Sequence, residues 1–180
     1  MLKGRVQTEL LAILFTAREP VTLAEFSEVF SDLSSEEIAE ALGVLSSEFN
    51  SLQDAVEIRN VAGGYRLTTR PENHEVIREY LKTKPSAKLS QASLETLSVI
   101  AYKQPVTLPE ILEIRGVKGT STIRTLLEKK LIEMRGRKKI VGRPIMYGTT
   151  QEFLVRFGLN DLSELPSLEE FEELYSASAE

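Results

Sequence analysis

The chain has 180 residues, of which 42% are hydrophobic and 27% are charged, and it contains no cysteine. This composition is typical of a folded protein of one or two domains, and it excludes disulfides, thiolate metal sites and cysteine nucleophiles. No stretch approaches the roughly 20 apolar residues that a membrane span requires. We therefore predict a cytoplasmic protein with no membrane partner, and the net charge of −5 argues against nucleic acid as its main partner.

The first predicted element is a helix in the stretch MLKGRVQTELLAILF, which has no signal-peptide cleavage pattern. Its centre, LLAILF, is hydrophobic on nearly every side, whereas one small domain covers only one stripe of a helix. We predict that the remaining apolar surface packs against a second copy of the chain in a twofold dimer. A helix enclosed within its own domain is the alternative. The candidate dimer residues are Leu10, Leu11, Ile13 and Leu14.

A nine-residue phrase then occurs twice: REPVTLAEF begins at Arg18, and KQPVTLPEI follows 85 positions later. In both copies a proline ends an apolar helix and a threonine begins the next helix. Thr22 with Glu25, and Thr107 with Glu110, have the spacing of a capping box, in which hydroxyl and carboxylate each bind a backbone N–H. The repeat indicates two copies of one small helical unit.

A third helix and a hairpin complete each half. Apolar residues at helical spacing predict the third helix, which begins in the first half at another capping box, Ser34 with Glu37. Alternating apolar residues then flank Ala62-Gly63-Gly64 in the first half and a longer loop, 137–144, in the second, which predicts two hairpins. We therefore predict a mainly α protein with small β-hairpins (α+β), built from two tandem winged helix-turn-helix domains.

Linker composition sets the predicted domain boundaries. The polar stretch KTKPSAK contains a proline and no large apolar residue, as linkers do. The predicted parts are an N-terminal winged-helix domain for dimerisation (1–82), a linker (83–88), a C-terminal winged-helix domain for partner binding (89–160) and an acidic tail (161–180).

Charge is segregated along the chain. Between Glu19 and Ile58 there is no Lys or Arg, so phosphates would repel the first candidate recognition helix. Between Arg115 and Arg143 the balance reverses, and basic residues surround the second hairpin. These cations admit two interpretations: a wing that follows DNA phosphates, or a face that binds an acidic protein or the chain's own tail.

The sequence contains no catalytic, metal-binding or cofactor-binding pattern. His74 lies in a polar helix start without an oriented partner, which indicates an exposed helix residue. Gly63-Gly64 opens a strand, whereas a nucleotide-binding fingerprint opens a helix. We predict that the chain is not an enzyme and has no cofactor.

Two long stretches of the second half, 89–117 and 142–168, contain the motifs AYKQP, IRG, GRP and YGTT. With these motifs the chain resembles the bacterial segregation and condensation protein B family, and the first half agrees in the order of its elements. The resemblance implies two winged-helix domains, a homodimer formed through the N-terminal halves, and a complex with the kleisin subunit, segregation and condensation protein A (ScpA). The kleisin in turn bridges the SMC ATPase, so the resemblance implies a non-enzymatic subunit of the condensin that compacts and separates chromosomes at the nucleoid. The turn KGTST and the positive Lys138 and Lys139 depart from the family pattern, which leaves an auxiliary DNA contact open.

The predicted partner surface is the second wing and its neighbours, where positive charge clusters beside one aromatic ring. Its candidate residues are Arg115, Arg135, Arg137, Arg143, Pro144 and Tyr147. A structural role is the alternative for Arg143 and Pro144, with the proline directing the return of the wing and the arginine capping a carbonyl. For the whole chain, the competing hypothesis is a DNA-binding regulator that uses this basic wing.

Overall fold

The computed structural model describes residues 2–52, 55–81, 89–116 and 121–167. The chain forms two compact units: the first is Met1–Pro85 together with Gly158–Glu180, and the second is Ser86–Phe157. The predicted linker and most of the predicted acidic tail lie outside the described residues. The second unit ends at Phe157, ahead of the predicted boundary at residue 160, because the chain from Gly158 onward belongs to the first unit.

The first unit packs three helices against a two-stranded hairpin, and a further helix follows the hairpin. Its elements are α1 (Leu2–Thr16), α2 (Leu23–Val29), α3 (Ser35–Leu52), β1 (Val56–Val61), β2 (Gly64–Thr69) and α4 (His74–Leu81), with a 3-10 turn at Pro71–Asn73. Strands β1 and β2 pair antiparallel, with Val56 opposite Thr69 and Val61 opposite Gly64. Buried apolar side chains from α1, α2, α3 and β1 form its core: Leu10, Leu14, Phe26, Ile38, Leu42, Leu45 and Ile58.

The second unit has the same order of elements, with one more strand in its sheet. Its elements are α5 (Gln91–Lys103), β3 (Val106–Thr107), α6 (Leu108–Arg115), α7 (Ser121–Glu128), β4 (Ile132–Arg137), β5 (Ile145–Thr149) and α8 (Gln151–Phe157). The antiparallel sheet has the order β3-β5-β4, and the register shifts between Met134 and Arg137, where Gly136 has a φ of +103°. Its core includes Ile100, Ile111, Leu126, Leu131 and Ile132.

The repeated Pro-Val-Thr phrase forms the same junction in both units. In the first unit, the N–H of Val21 donates to the oxygen of Tyr65 and the N–H of Tyr65 to the oxygen of Val21, both at 2.8 Å. In the second unit, Val106 lies opposite Tyr147 where β3 pairs with β5. Each valine thus ties the start of the second helix to the returning strand of the hairpin. Both units have the winged-helix order, and the predicted fold class, mainly α with small hairpins, is confirmed.

The threonine of each phrase caps the helix that follows it. The N–H of Thr22 donates to Glu25 Oε2 at 2.7 Å, and the N–H of Thr107 donates to Glu110 Oε2 at 2.8 Å. In the first copy, the N–H of Glu25 donates in return to Thr22 Oγ1 at 3.3 Å. These bonds satisfy backbone donors that a helix start otherwise leaves unpaired, so they hold α2 and α6 at the junction.

Gly64 provides a test of the close packing at the first junction. A Cβ added to Gly64 would lie 2.9 Å from the backbone oxygen of Val21, and a backbone atom does not move aside as a flexible side chain does. We expect Gly64→Ala to lower the free energy of unfolding by about 1–3 kcal/mol. Gly43→Ala in α3 is the matched control, because nothing lies within 4 Å of its added Cβ. It should raise the free energy of unfolding by about 0.5–1 kcal/mol. Urea unfolding followed by circular dichroism measures both, and a neutral Gly64→Ala would contradict the packing.

Candidate protein-interaction surfaces

Three of the six predicted partner residues lie exposed on the second wing, which we define as residues 132–149. They are Arg135, Arg137 and Arg143, and Pro144 beside them is half-buried. The wing is held by its own backbone, since the N–H of Lys138 donates to the oxygen of Pro144 at 2.9 Å. Pro144 thus lies where the wing returns toward β5, as its structural interpretation predicts.

Arg115 is a structural residue of the second unit. Only 8% of its side chain is exposed, and it donates to Thr96 Oγ1 at 2.8 Å and to Glu95 Oε2 at 3.0 Å. These bonds join the end of α6 to α5. The prediction of a partner-binding role for Arg115 is corrected, because a buried guanidinium with these bonds is not on the surface. Charge clustering in the sequence does not distinguish an arginine that faces inward from one that faces solvent.

Tyr147 is also part of the scaffold. Its side chain is buried, and its backbone lies between Val106 of β3 and Met134 of β4 in the sheet. The prediction of Tyr147 as an aromatic contact for a partner is therefore wrong in this fold. The equivalent tyrosine of the first unit, Tyr65, forms the matching junction and is partly buried against the core.

Most cations around the second wing have partners inside the unit. Arg135 lies 3.0 Å from the carboxylate of Glu133 and also donates to the oxygen of Thr149 at 3.0 Å. Arg137 donates to the backbone oxygen of Arg143 at 3.0 Å, and Lys138 forms an ion pair with Glu110. On α7, the candidate recognition helix, Arg124 pairs with Glu128 at 2.8 Å. Within the described residues, the exposed Lys139 and Arg143 have no ion-pair partner.

The ion pair between Lys138 and Glu110 joins the wing to the cap of α6. Its hydrogen bond, together with those from the hydroxyl and N–H of Thr107, lowers the pKa of Glu110 from 4.5 to about 2. In the first unit, the bonds from Thr22 also lower the pKa of Glu25, and among the described residues no lysine joins that cap. The carboxylate of Glu110 therefore has two functions, since it caps α6 and holds the base of the wing loop.

The tip of the second wing exposes apolar side chains on a structured turn. Val141 is fully exposed and Ile140 is 52% exposed at this turn, and Met134, which lies on β4 below the turn, is 61% exposed. The turn is closed by the N–H of Arg143, which donates to the oxygen of Ile140 at 2.9 Å. These residues are not among the predicted partner residues, although an Ile-Val pair within a basic hairpin is a visible signal in the sequence. An exposed apolar tip flanked by unpaired cations suits a partner that is both apolar and acidic.

The apolar residues that α1 exposes are not the ones predicted as dimer contacts. Leu10 and Leu14 are buried in the core of their own unit, so their prediction as dimer contacts is corrected. Leu11 and Ile13 are half-buried. Phe15, which is not among the predicted dimer residues, is 81% exposed. A helix that is apolar on all sides hides which stripe faces the core, because its periodicity is weak.

Phe15 lies on an open groove of about 810 Å³ in the first unit. The walls come from α1 and from β2, with Phe49 of α3 between them. Two cations, Arg18 and Arg66, lie among the apolar side chains. The lining residues are Thr8, Leu11, Ala12, Leu14, Phe15, Ala17, Arg18, Phe49, Val56, Arg66, Leu67, Thr68 and Thr69.

The single histidine and the carboxylates are the residues from which a catalytic or metal site would be built. His74 begins α4 and is exposed, as predicted. In the part of the chain that the structure describes, no group of three or more His, Asp or Glu side chains is placed to hold a metal ion. Among the same residues, no helix is both long enough and apolar enough to cross a bilayer.

The two winged units and the motifs of the second unit correspond to a known family. The family model for the segregation and condensation complex subunit ScpB matches residues 8–168. The chain belongs to the segregation and condensation protein B family. The resemblance noted in the sequence is thereby confirmed.

Relatives of different length match the chain. Segregation and condensation protein B of Alkaliphilus oremlandii is 42% identical over 169 residues, which cover 94% of this chain and 91% of the relative. The Myxococcus xanthus protein of the same name is 44% identical over 170 residues, 94% of this chain, and the match covers 51% of that relative. The chain thus spans about half the length of the Myxococcus protein.

Two solved structures are also similar to the chain. A conserved hypothetical protein from Chlorobium tepidum is 37% identical and matches over 88% of this chain and 98% of its own, with a TM-score of 0.42. ScpB from Mycobacterium tuberculosis is 29% identical and matches over 87% of this chain and 97% of its own, also with a TM-score of 0.42.

The depressed pKa of Glu110 predicts an acid-sensitive wing. Because the folded-state pKa is about 2, the contribution of the carboxylate to stability is complete above pH 4.5 and is lost as the pH falls toward 2. We expect Glu110→Gln to lower the thermal midpoint of the second unit at pH 7. Below pH 4.5, the midpoint of this variant should decrease less with falling pH than that of the unsubstituted chain. Glu25→Gln, which changes a cap without a lysine, should respond less to added salt. Amide signals of β4 and β5 followed on heating at several pH values measure the effect, and identical profiles for Glu110→Gln and the unsubstituted chain would contradict it.

Proposed function

We propose that the chain is a non-enzymatic accessory subunit of the bacterial SMC condensin and that it binds the kleisin subunit, segregation and condensation protein A. Its membership in the segregation and condensation protein B family supports this assignment. Through the kleisin it joins the SMC ATPase, which hydrolyses ATP, and thereby takes part in chromosome condensation and segregation at the nucleoid. Its own contribution is to hold one flexible chain in place.

The second wing is the proposed kleisin surface, and the ordered tip is the observation that carries the proposal. Ile140 and Val141 offer apolar area at the tip, and Arg143 offers an unpaired positive charge in the same turn. Arg135 and Arg137 are exposed along the same wing but also bind backbone oxygens within it. Backbone hydrogen bonds already order the tip before binding, so the free energy of binding does not include the entropic cost of ordering it. A kleisin segment with acidic and aliphatic side chains is the complement of this surface.

The internal ion pairs favour a protein partner over DNA as the main ligand. Strong phosphate binding draws on many free cations, and each neutralised phosphate releases condensed counterions. In the second unit, Arg124, Arg135 and Lys138 are already paired with Glu128, Glu133 and Glu110. Releasing them to bind DNA would break these pairs, so direct DNA contact is expected to be weak and auxiliary.

The groove of the first unit is the proposed homodimer surface. Phe15 is highly exposed there, and Leu11 is half-buried beside it on the same helix. A second copy related by a twofold axis would bring the same groove and the same phenylalanine, which is the arrangement that a twofold interface requires. A dimer presents two second wings, so one kleisin chain is held at two points and its second contact gains effective concentration.

Substitutions at the wing tip test the kleisin surface. Val141→Asp combined with Arg143→Glu should weaken kleisin binding at least tenfold, because both remove attraction to an apolar and acidic segment. Arg78→Glu in α4 is the control for charge reversal, since it makes the same change as Arg143→Glu at an exposed position of the first unit. Calorimetric titration of purified kleisin measures the affinity, and circular dichroism checks the fold. Undiminished binding by the double variant would contradict the location.

Phe15→Glu tests the dimer surface. Burying a carboxylate in an apolar interface is costly, so we expect the dissociation constant of the dimer to rise at least a hundredfold. Val29→Glu in α2 is the control, because Val29 is also an exposed apolar residue of the first unit but does not line the groove. Light scattering across a dilution series gives the mass of each variant. A dimer that persists in Phe15→Glu as in Val29→Glu would exclude this face.

A further inference from the structure

The segment that follows the second unit returns to the wing turn of the first. Helix α8 ends at Phe157, and Gly158 follows it with a φ of +68°. From Gly158 onward the chain belongs to the first unit, whose β1–β2 turn it contacts. We name residues 158–164 the strap.

Two hydrogen bonds join the strap to the turn. The N–H of Ala62 donates to the oxygen of Leu159 at 2.9 Å, and the N–H of Gly63 donates to Asn160 Oδ1 at 3.0 Å. The two donors lie on consecutive residues, Ala62 and Gly63, which have φ of +53° and +77°, as a two-residue hairpin turn requires. The turn thus points two neighbouring N–H groups at one segment. Successive N–H groups of this kind form a concave site that binds hydrogen-bond acceptors.

The strap has internal bonds that place its acceptors. The N–H of Asn160 donates to Glu164 Oε2 at 2.8 Å. Asp161 caps the 3-10 turn Leu162–Glu164 by accepting from the N–H of Ser163 at 2.7 Å, and hydrogen bonds from the hydroxyl and the N–H of Ser163 lower the pKa of Asp161. The backbone carbonyl of Leu159 and the side-chain amide of Asn160 are therefore presented together.

The strap is attached without a buried side chain. All its residues are half-buried or exposed, whereas the core of the first unit contains seven fully or nearly fully buried apolar side chains. Segments with few buried apolar contacts open at a much lower free energy than the unit that carries them. The strap should therefore leave and return while the first unit stays folded.

The first wing, which we define as residues 56–69, and the second wing differ in the acceptors that their backbone N–H groups bind. In the second wing, the N–H groups of Lys138 and Arg143 donate to carbonyls of the same loop, those of Pro144 and Ile140. In the first wing, the turn donors are satisfied by a segment 97 residues away. The second wing thus binds these N–H groups with its own carbonyls, whereas the turn of the first wing donates to acceptors outside the wing.

We propose that the first wing turn is a peptide-docking site, that the strap is its resident occupant, and that the strap opens reversibly. The site takes a segment in which a backbone carbonyl is followed by an Asn or Asp side chain, because these are the acceptors that the two N–H groups bind in the chain itself. A closed strap keeps this site from other chains, and an open strap makes it available.

Amide hydrogen exchange in the intact chain tests the strap. We expect the amides of Ala62 and Gly63 to be protected, and Asn160→Ala to speed their exchange about tenfold, since one acceptor is lost. Asn160→Asp keeps the acceptor and should keep the protection. The amide of Tyr65, which donates to Val21 within the junction, is the internal control and should not change.

A peptide with the sequence of residues 158–165, GLNDLSEL, then tests docking on the Asn160→Ala variant. At millimolar concentration it should restore slow exchange at Ala62 and Gly63, and the same peptide with alanine in place of its asparagine should not. Unprotected amides in the unsubstituted chain, or an Asn160→Ala variant that exchanges like Asn160→Asp, would overturn the strap. Failure of the peptide to restore protection would overturn the docking site.

Discussion

The backbone pairing between a valine and a tyrosine is the constraint on which both units depend. In each unit the valine of the Pro-Val-Thr phrase pairs with a tyrosine of the returning strand: Val21 with Tyr65, and Val106 with Tyr147. The next residue caps the following helix, so two consecutive positions join the sheet and begin a helix. The junction fixes the returning strand beside the start of the second helix, so the geometry of the surfaces carried by the wing depends on it.

Local chemistry made much of the fold predictable. The capping spacings, the apolar stripe of α3 and the turn at Ala62-Gly63 each depend on neighbouring residues, and all three appear as expected. The site residues were less predictable because their roles depend on the direction in which a side chain points. Leu10 was expected outward and lies in the core, whereas Phe15 was overlooked and lies outside. The strap pairs residues 97 positions apart, and no local pattern reports that contact.

Charge has different functions in the two units. The first unit places carboxylates at helix starts, where Glu25 and Glu37 cap through the N–H groups of Thr22 and Ser34. The second unit also uses carboxylates to hold the cations of its wing, and Glu110 performs both tasks at once. A basic stretch in the sequence therefore becomes a mostly neutralised surface in the fold. What remains exposed at the second wing is a small apolar tip with a few free charges, which matches the selective binding of a protein segment better than the tracking of a phosphate backbone.

The proposal that this chain is a duplicated adaptor for a flexible protein is tested most directly by the composition of its complex. The chain is mixed with the kleisin from the same genome, and light scattering after size-exclusion chromatography gives the mass of the product. Our account predicts a single species that contains two copies of the chain and one kleisin, and that persists when salt is raised from about 0.1 to 0.5 M, because its tip contact is partly apolar. Separate elution of the two proteins at both salt concentrations would contradict it.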